Sequence, residues 1–251
     1  MLRRPSPNWN ARPAGAAVDA LILHYTGMRT AEAALARLCD PAAEVSAHYL
    51  IDEDGTVVAL VAEGRRAWHA GRSAWQGATG LNDCSIGIEL VNPGHEFGYR
   101  PFPEAQIAAC LDLGLALVRR WPIPPRRVLA HSDVAPDRKQ DPGELFPWRR
   151  LAAAGLGLWP AEVAAEEDGA SPSTAALQAG LAAYGYAVPR HGRADPTTAE
   201  VVAAFQRHFR PERVDGVGDA GTAARLRGLL LRLGGANRGG PGGLGGSGPD
   251  A

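Results

Sequence analysis

An α/β fold, a sheet with helices packed on it, followed by a small helical bundle, is the class that this sequence predicts. Up to about residue 160, apolar runs of strand length alternate with segments of helical period. After an acidic stretch at 161–172, only helical signals follow, to residue 233. Composition agrees with a globular chain: 251 residues, 45% hydrophobic, 21% charged and a net charge of −1.

Each element has a local reason. VDALILHY (18–25) is an apolar strand that ends in a Thr-Gly turn, and AEAALARLC (31–39) reads as a short helix. Strands at 48–51 and 56–61 flank Asp52-Glu53-Asp54-Gly55, a hairpin signal. CSIGIELV (84–91) is a buried strand. Ile107, Leu111, Leu115 and Val118 share one face of a helix over 103–121 that Pro122 stops, and RVLAH (127–131) is the last strand. In the second part, Leu177, Leu181 and Tyr184 stripe one helix that Gly185 closes. A second helix opens at Asp195-Pro196-Thr197, with an Asp195 cap or a Thr197–Glu200 capping box. A third opens at Asp219 and ends at Gly234.

Charge divides the chain into four: a balanced part at 1–160, an acidic linker at 161–172, a helical domain at 173–233, and a tail at 234–251, half glycine and expected to be disordered. The linker implies few contacts between the parts it joins. Near-zero charge opposes a nucleic-acid binder, and no apolar run approaches the ~18–20 residues of a membrane span. Cys39, Cys84 and Cys110, widely spaced, make neither a disulfide framework nor a zinc knuckle. Met-Leu-Arg-Arg is followed by Pro-Ser-Pro-Asn-Trp-Asn where a secretory signal needs an apolar core, so a cytoplasmic location is expected. Of 26 basic residues, 25 are Arg and one is Lys, Lys139.

Two of the seven histidines stand out. His24 and His131 end strands, and strand ends in α/β sheets face the ligand crevice. Two His and one carboxylate satisfy a catalytic zinc and leave a position open. Asp133, Asp137 and Asp141 all follow His131. The Pro142-Gly143 turn ranks Asp141 only slightly first, and spacing leaves the three open.

HYTG (24–27), SAHYLID (46–52), AWHAG (67–71), NDCSIGIELVN (82–92) and HSDVAPDRKQDPGELFPW (131–148) carry a resemblance. Five blocks in order over residues 15–155 resemble the type-2 N-acetylmuramoyl-L-alanine amidases, in the AmpD/AmiD-like branch whose third ligand is Asp rather than Cys. The resemblance implies a mixed central sheet flanked by helices. It implies zinc (Zn2+) on His24, His131 and Asp141, with Glu89 and Lys139 catalytic. It also implies a substrate groove with His48, Tyr49, Trp68, His69 and Asn82. Strand alternation turns Glu89 away from Ile88 and Leu90, toward a crevice. Trp68 and Trp75 are candidates to stack on a sugar; His95, His191 and His208 read as surface residues. LQAGLAAYGY (177–186), Asp195-Pro-Thr-Thr, AFQRHF (204–209) and DGVGDAGTAARL (215–226) resemble the three-helix peptidoglycan-binding module.

The implied activity is hydrolysis of the amide between the lactyl group of N-acetylmuramic acid and L-alanine, on peptidoglycan or muropeptides, by a monomer. The alternatives are a non-catalytic peptidoglycan receptor on the same fold and a zinc hydrolase of another amide. A binding module favours the periplasm or cell envelope over the cytoplasm.

Overall fold

The structure is a computed structural model that describes residues 1–163 and 171–236. The middle of the expected linker, 164–170, and the expected tail from 237 lie outside the described residues. In chain order the first strands are β1 (Leu2–Arg3), β2 (Trp9–Ala11) and β3 (Ala20–Tyr25), followed by helix α1 (Ala31–Cys39). Then come β4 (Tyr49–Ile51), β5 (Val57–Ala59), β6 (Arg65–Ala67), β7 (Ala74–Trp75), β8 (Ala78–Thr79) and β9 (Ser85–Leu90). Helices α2 (Gly94–Phe97) and α3 (Glu104–Arg120) precede β10 (Val128–Ala130), and α4 (His131–Val134) and α5 (Trp148–Ala153) close the first part. The second part is α6 (Thr174–Tyr184), α7 (Pro196–Phe209) and α8 (Ala220–Ala236).

Six strands form one mixed sheet in the order β1-β5-β4-β9-β3-β10, with only the β4–β5 pair antiparallel. That pair is the expected hairpin. β3 and β9 are adjacent interior strands and are buried almost throughout, which is why both read as unbroken apolar runs. Capping explains several helix starts. Thr30 Oγ1 accepts from Ala33 N–H at 3.2 Å before α1, and the Asp195 side chain accepts from Thr198 N–H at 2.7 Å before α7. The Asp195 cap is thus the one used. α8 continues two residues past Gly234, the expected stop.

Strand alternation sorts the sheet into two faces. Leu21, Leu23, Ile86, Ile88 and Leu90 pack with Ile107, Cys110, Leu113 and Leu117 of α3. On the other face, Leu50 and Val58 lie under Ala34 and Leu38 of α1, while Ile22 and Leu129 lie under the second part. His24, Glu89 and Gly87 belong to this second face, between the two covered patches.

The two parts share one core. Ile22, Leu129 and Val134 pack in a single cluster with Leu177, Tyr184, Phe205 and Phe209. Trp75 is wholly buried, edge-on to Tyr184 and Tyr186 at ring separations of 5.7 and 4.8 Å. The expectation of few contacts therefore fails. Charge in a linker reports on the linker, whereas Ile22 and Leu129 would lie bare on the sheet without a cover. Trp75 is likewise no sugar platform. Among the described residues, no helix is long and apolar enough to cross a membrane.

A shared core has a measurable outcome. Denaturant unfolding followed by far-UV circular dichroism and by Trp fluorescence is expected to give one coincident transition. Phe205→Ala, at a fully buried position of α7, should move that whole transition by about 3–5 kcal/mol. Two separate transitions, with only one moved, would contradict a common core.

Candidate active site

β3 and β9 run parallel in a register that sets His24 opposite Glu89. His131 stands on the neighbouring strand's exit: β10 pairs with β3 through Ala130 and Leu23, and His131 begins α4 one residue later. The chain then returns through Asp141, whose carbonyl accepts from Ser132 N–H at 3.0 Å. Gly143 completes the return, where the Tyr99 hydroxyl leaves no room for a Cβ.

Three ligand-type atoms converge. His24 Nδ1 and His131 Nδ1 are 2.9 Å apart, and Asp141 Oδ2 lies 3.1 and 3.0 Å from them. All three residues are buried, at 1%, 3% and 5% exposure. The far nitrogens show what these atoms carry. His24 Nε2 lies 3.0 Å from His69 Nδ1, and His131 Nε2 lies 3.3 Å from the Ala70 carbonyl oxygen. Donation outward from each Nε2–H leaves both Nδ1 atoms as bare lone pairs. Two lone pairs and a carboxylate oxygen repel one another unless a cation sits among them. A tetrahedral ion with bonds of about 2.0–2.1 Å spaces its ligands about 3.3 Å apart, so the donor set fits zinc. Among the described residues, this is the one group of three or more His, Cys, Asp or Glu side chains close enough to hold a metal.

Electrostatics keeps the donors in the ligating form. Burial, with His131 adjacent, lowers the His24 imidazole to about 4, so it is neutral at pH 7. His69 is pushed down in the same direction, first by burial and then by His24. Burial alone would raise the Asp141 carboxyl, but His131 and His24 outweigh it and hold it far below the ordinary range. Glu89 goes the opposite way: burial and then Asp141 raise it well above an ordinary glutamate.

A cleft of about 250 Å³ opens onto this centre, lined by Glu89, His131, Lys139 and Asp141 within and by Tyr25, Arg37, Trp68 and His69 around them. Glu89 Oε2 is buried there without a hydrogen-bond partner. Thus the structure brings together His24, His131, Asp141, Glu89 and Lys139, with Trp68 and His69 beside them. His48, Tyr49 and Asn82, expected in the groove, do not line it. His48 is fully buried; its Nδ1 accepts from Gly87 N–H at 3.0 Å, and its Nε2 meets the Arg65 carbonyl oxygen at 3.0 Å and the Arg12 guanidinium at 3.2 Å. Tyr49 points to the α3 face and donates to Glu63 at 2.5 Å. Asn82 Oδ1 accepts from the His69 and Ala70 N–H groups, at 3.0 and 2.7 Å, and so holds the segment after β6 that carries His69. The ring nitrogens of His48, the Tyr49 hydroxyl and Asn82 Oδ1 all bond inside the fold rather than into the cleft.

Sequence reasoning missed the support behind the three converging side chains. His69 passes the His24 hydrogen bond on to Ser85 Oγ, 3.2 Å from its Nε2. The His69 ring lies against Gly87, where a Cβ would stand 2.5 Å from the ring Cγ. The glycine inside the apolar run SIGIEL was the available signal, since a glycine in a strand marks a close approach. His208, expected on the surface, is 2% exposed and stacked between Trp148 and Phe209 at 3.7 and 3.8 Å. His95 is exposed, although its Nδ1 meets the Tyr25 hydroxyl at 3.0 Å, and His191 is also exposed.

Comparison with known proteins bears on the same residues. The N-acetylmuramoyl-L-alanine amidase family profile matches residues 14–144, and a peptidoglycan binding domain profile matches 170–226. The N-acetylmuramoyl-L-alanine amidase AmiD of Escherichia coli is 41% identical over 238 residues, 86% of this chain and 84% of its own. The 1,6-anhydro-N-acetylmuramyl-L-alanine amidase AmpD of Citrobacter freundii is 36% identical over 60% of this chain and 88% of its own. Escherichia coli AmiD in complex with the substrate anhydro-N-acetylmuramic acid-L-Ala-D-γ-Glu-L-Lys superposes with a TM-score of 0.78 at 39% identity, over 90% of this chain and 94% of that one. AmpDh3 from Pseudomonas aeruginosa gives 0.80 at 36% identity, over 93% and 100%.

The buried neutral histidines make acid sensitivity a direct readout. His24 is lowered to about 4 and His48 to about 3, chiefly by burial. Their unfolded counterparts take up protons below about 6.5. Stability is therefore full above that pH and is lost as the pH falls toward 4, because the unfolded chain binds protons that the fold refuses. In the presence of a chelator, the Tm at pH 5 should lie roughly 10 °C below that at pH 7. His48→Gln should flatten the dependence; an unchanged slope would contradict a neutral buried His48.

Proposed function

The chain belongs to the N-acetylmuramoyl-L-alanine amidase family, and we propose that it hydrolyses the amide between the lactyl group of N-acetylmuramic acid and the L-alanine of a stem peptide. Its substrates on this reading are peptidoglycan and the muropeptides derived from it, in cell-wall turnover. The matching peptidoglycan binding domain supports polymer, and the anhydromuropeptide substrate of AmiD supports soluble fragments.

His24, His131 and Asp141 are the residues that would hold zinc. Bound there, zinc supplies Lewis acidity to water and to the amide carbonyl. Glu89 takes a proton from the attacking water at Oε2 and returns it to the departing amine of L-alanine. A carboxylate whose hold on a proton is raised by burial is a better base toward the attacking water than an ordinary glutamate, and the departing amine is a stronger base still, so the proton passes on to it. The Lys139 ammonium, in the same cleft, balances the negative charge that grows on the carbonyl oxygen. A compact ammonium serves better than a planar guanidinium, which fits the survival of one Lys among 25 Arg. Trp68 on the cleft wall offers a face for a sugar ring.

What supports this reading most is a single atom. Glu89 Oε2 is out of water and without a partner, in a cleft shared with two of the three converging ligands. An unpartnered carboxylate oxygen is costly to bury and is kept where a substrate group or water completes it.

The test separates ligand from catalyst. Purified Glu89→Gln should carry about one zinc per chain and lose kcat by ~10²-fold or more on a soluble muropeptide. His131→Ala should lose zinc and activity together. Lys139→Arg should keep the metal yet lose turnover. Wild-type product analysis should find a newly freed L-alanine amine. A Glu89→Gln enzyme at wild-type rate would remove Glu89 from the mechanism.

A further inference from the structure

The interface between the two parts ends on a carboxylate next to the metal centre. Asp133 sits in α4, two residues after His131, and is 1% exposed. Its Oδ2 accepts from Ala130 N–H at 2.8 Å and from His208 Nδ1–H at 2.7 Å. Its Oδ1 accepts from the Tyr186 hydroxyl at 2.5 Å. Two of these three donors come from the second part of the chain, His208 from α7 and Tyr186 from just after α6.

A carboxylate this deep is tolerable only when its oxygens are satisfied. The Ala130 bond is local and caps the turn that presents His131. The other two bonds decide which way the carboxylate points. His208 itself cannot drift, because Trp148 of the first part stacks on one side of its ring at 3.7 Å. Tyr186 is wedged edge-on against Trp75. Removing either donor would leave the Asp133 carboxylate free to turn or to draw in water, and the turn that carries His131 would loosen with it.

We infer that the helical part is a positioning element of the metal centre, with Tyr186 and His208 orienting Asp133 and Asp133 holding the turn that aims His131. This rests on the reading of His24, His131 and Asp141 as zinc ligands. Neither Tyr186 nor His208 lines the cleft, so both are positioning residues. The helical part thus has a role in the chemistry apart from any polymer that it holds.

The experiment uses the full chain and zinc alone as the probe, with affinity read by competition against a chromogenic chelator. Tyr186→Phe, which removes one oxygen, and His208→Leu should each weaken zinc binding about 10-fold, the lower end for partners outside the ligand shell. His208→Asn, which keeps an N–H donor near the Nδ1 position, should recover most of that loss. If Tyr186→Phe lowered the Tm but bound zinc as tightly as the wild type, the contacts would serve cohesion only and the inference would be overturned. Tyr186→Phe answers the question even if His208→Leu does not fold. A wild-type chain that bound no zinc would overturn the ligand reading and this inference together; normal zinc binding by every variant would overturn the inference alone.

Discussion

Parallel pairing of β3 with β9 places His24 beside Glu89, and most of the site follows from that register. A slip of one residue by either strand would turn its polar side chain into the apolar layer beneath α3. Leu21 and Leu23 of β3, and Ile86, Ile88 and Leu90 of β9, forbid the slip, because the same shift would bring that strand's apolar residues out of the core. His24 and Glu89 are therefore held in relation by hydrophobic burial on the opposite face of the sheet. β10 adds the third strand, and His131 follows from its pairing with β3.

Around that register the polar groups form a chain directed away from the cleft. His24 leans on His69, His69 on Ser85, and Ser85 donates to the Leu81 carbonyl at 2.5 Å. Every link needs a neutral imidazole, and burial keeps the two imidazoles neutral. The Arg12 guanidinium ties the neighbouring wall together through the carbonyl oxygens of Glu63, Asn82, Asp83 and Ser85. A preorganised donor set of this kind needs little rearrangement when a cation binds.

Much of the fold was legible because the central strands are long, apolar and interrupted by turn residues, and the helices carry clean stripes and caps. His24 and His131 were legible from their place at strand ends. Asp141 was separable from Asp133 and Asp137 only through the resemblance, since all three follow His131 within ten residues and spacing alone cannot show which carboxylate turns toward His24 and His131. His48, Tyr49 and Asn82 mark the other limit. A family block contains both cleft residues and the residues that brace them, and only side-chain direction tells them apart. Trp75 and His208 were misjudged for a further reason. Much of their burial is supplied by residues distant in the chain, Tyr186 for Trp75 and Trp148 and Asp133 for His208, across an interface that no local pattern reveals.

The common core also limits how this architecture can be recombined. Peptidoglycan hydrolases built as beads on a string tolerate the exchange of one wall-binding bead for another, because each bead is finished on its own surface. Here Ile22, Trp75, Leu129 and Val134 of the first part meet the second part across an apolar seam. A graft joined at the acidic segment, with an unrelated anchor in place of α6–α8, would bare that seam to water and offer it to other chains. Successful chimaeras would have to carry the seam with them, trading the pair as one piece or repainting the sheet face with polar residues before the exchange.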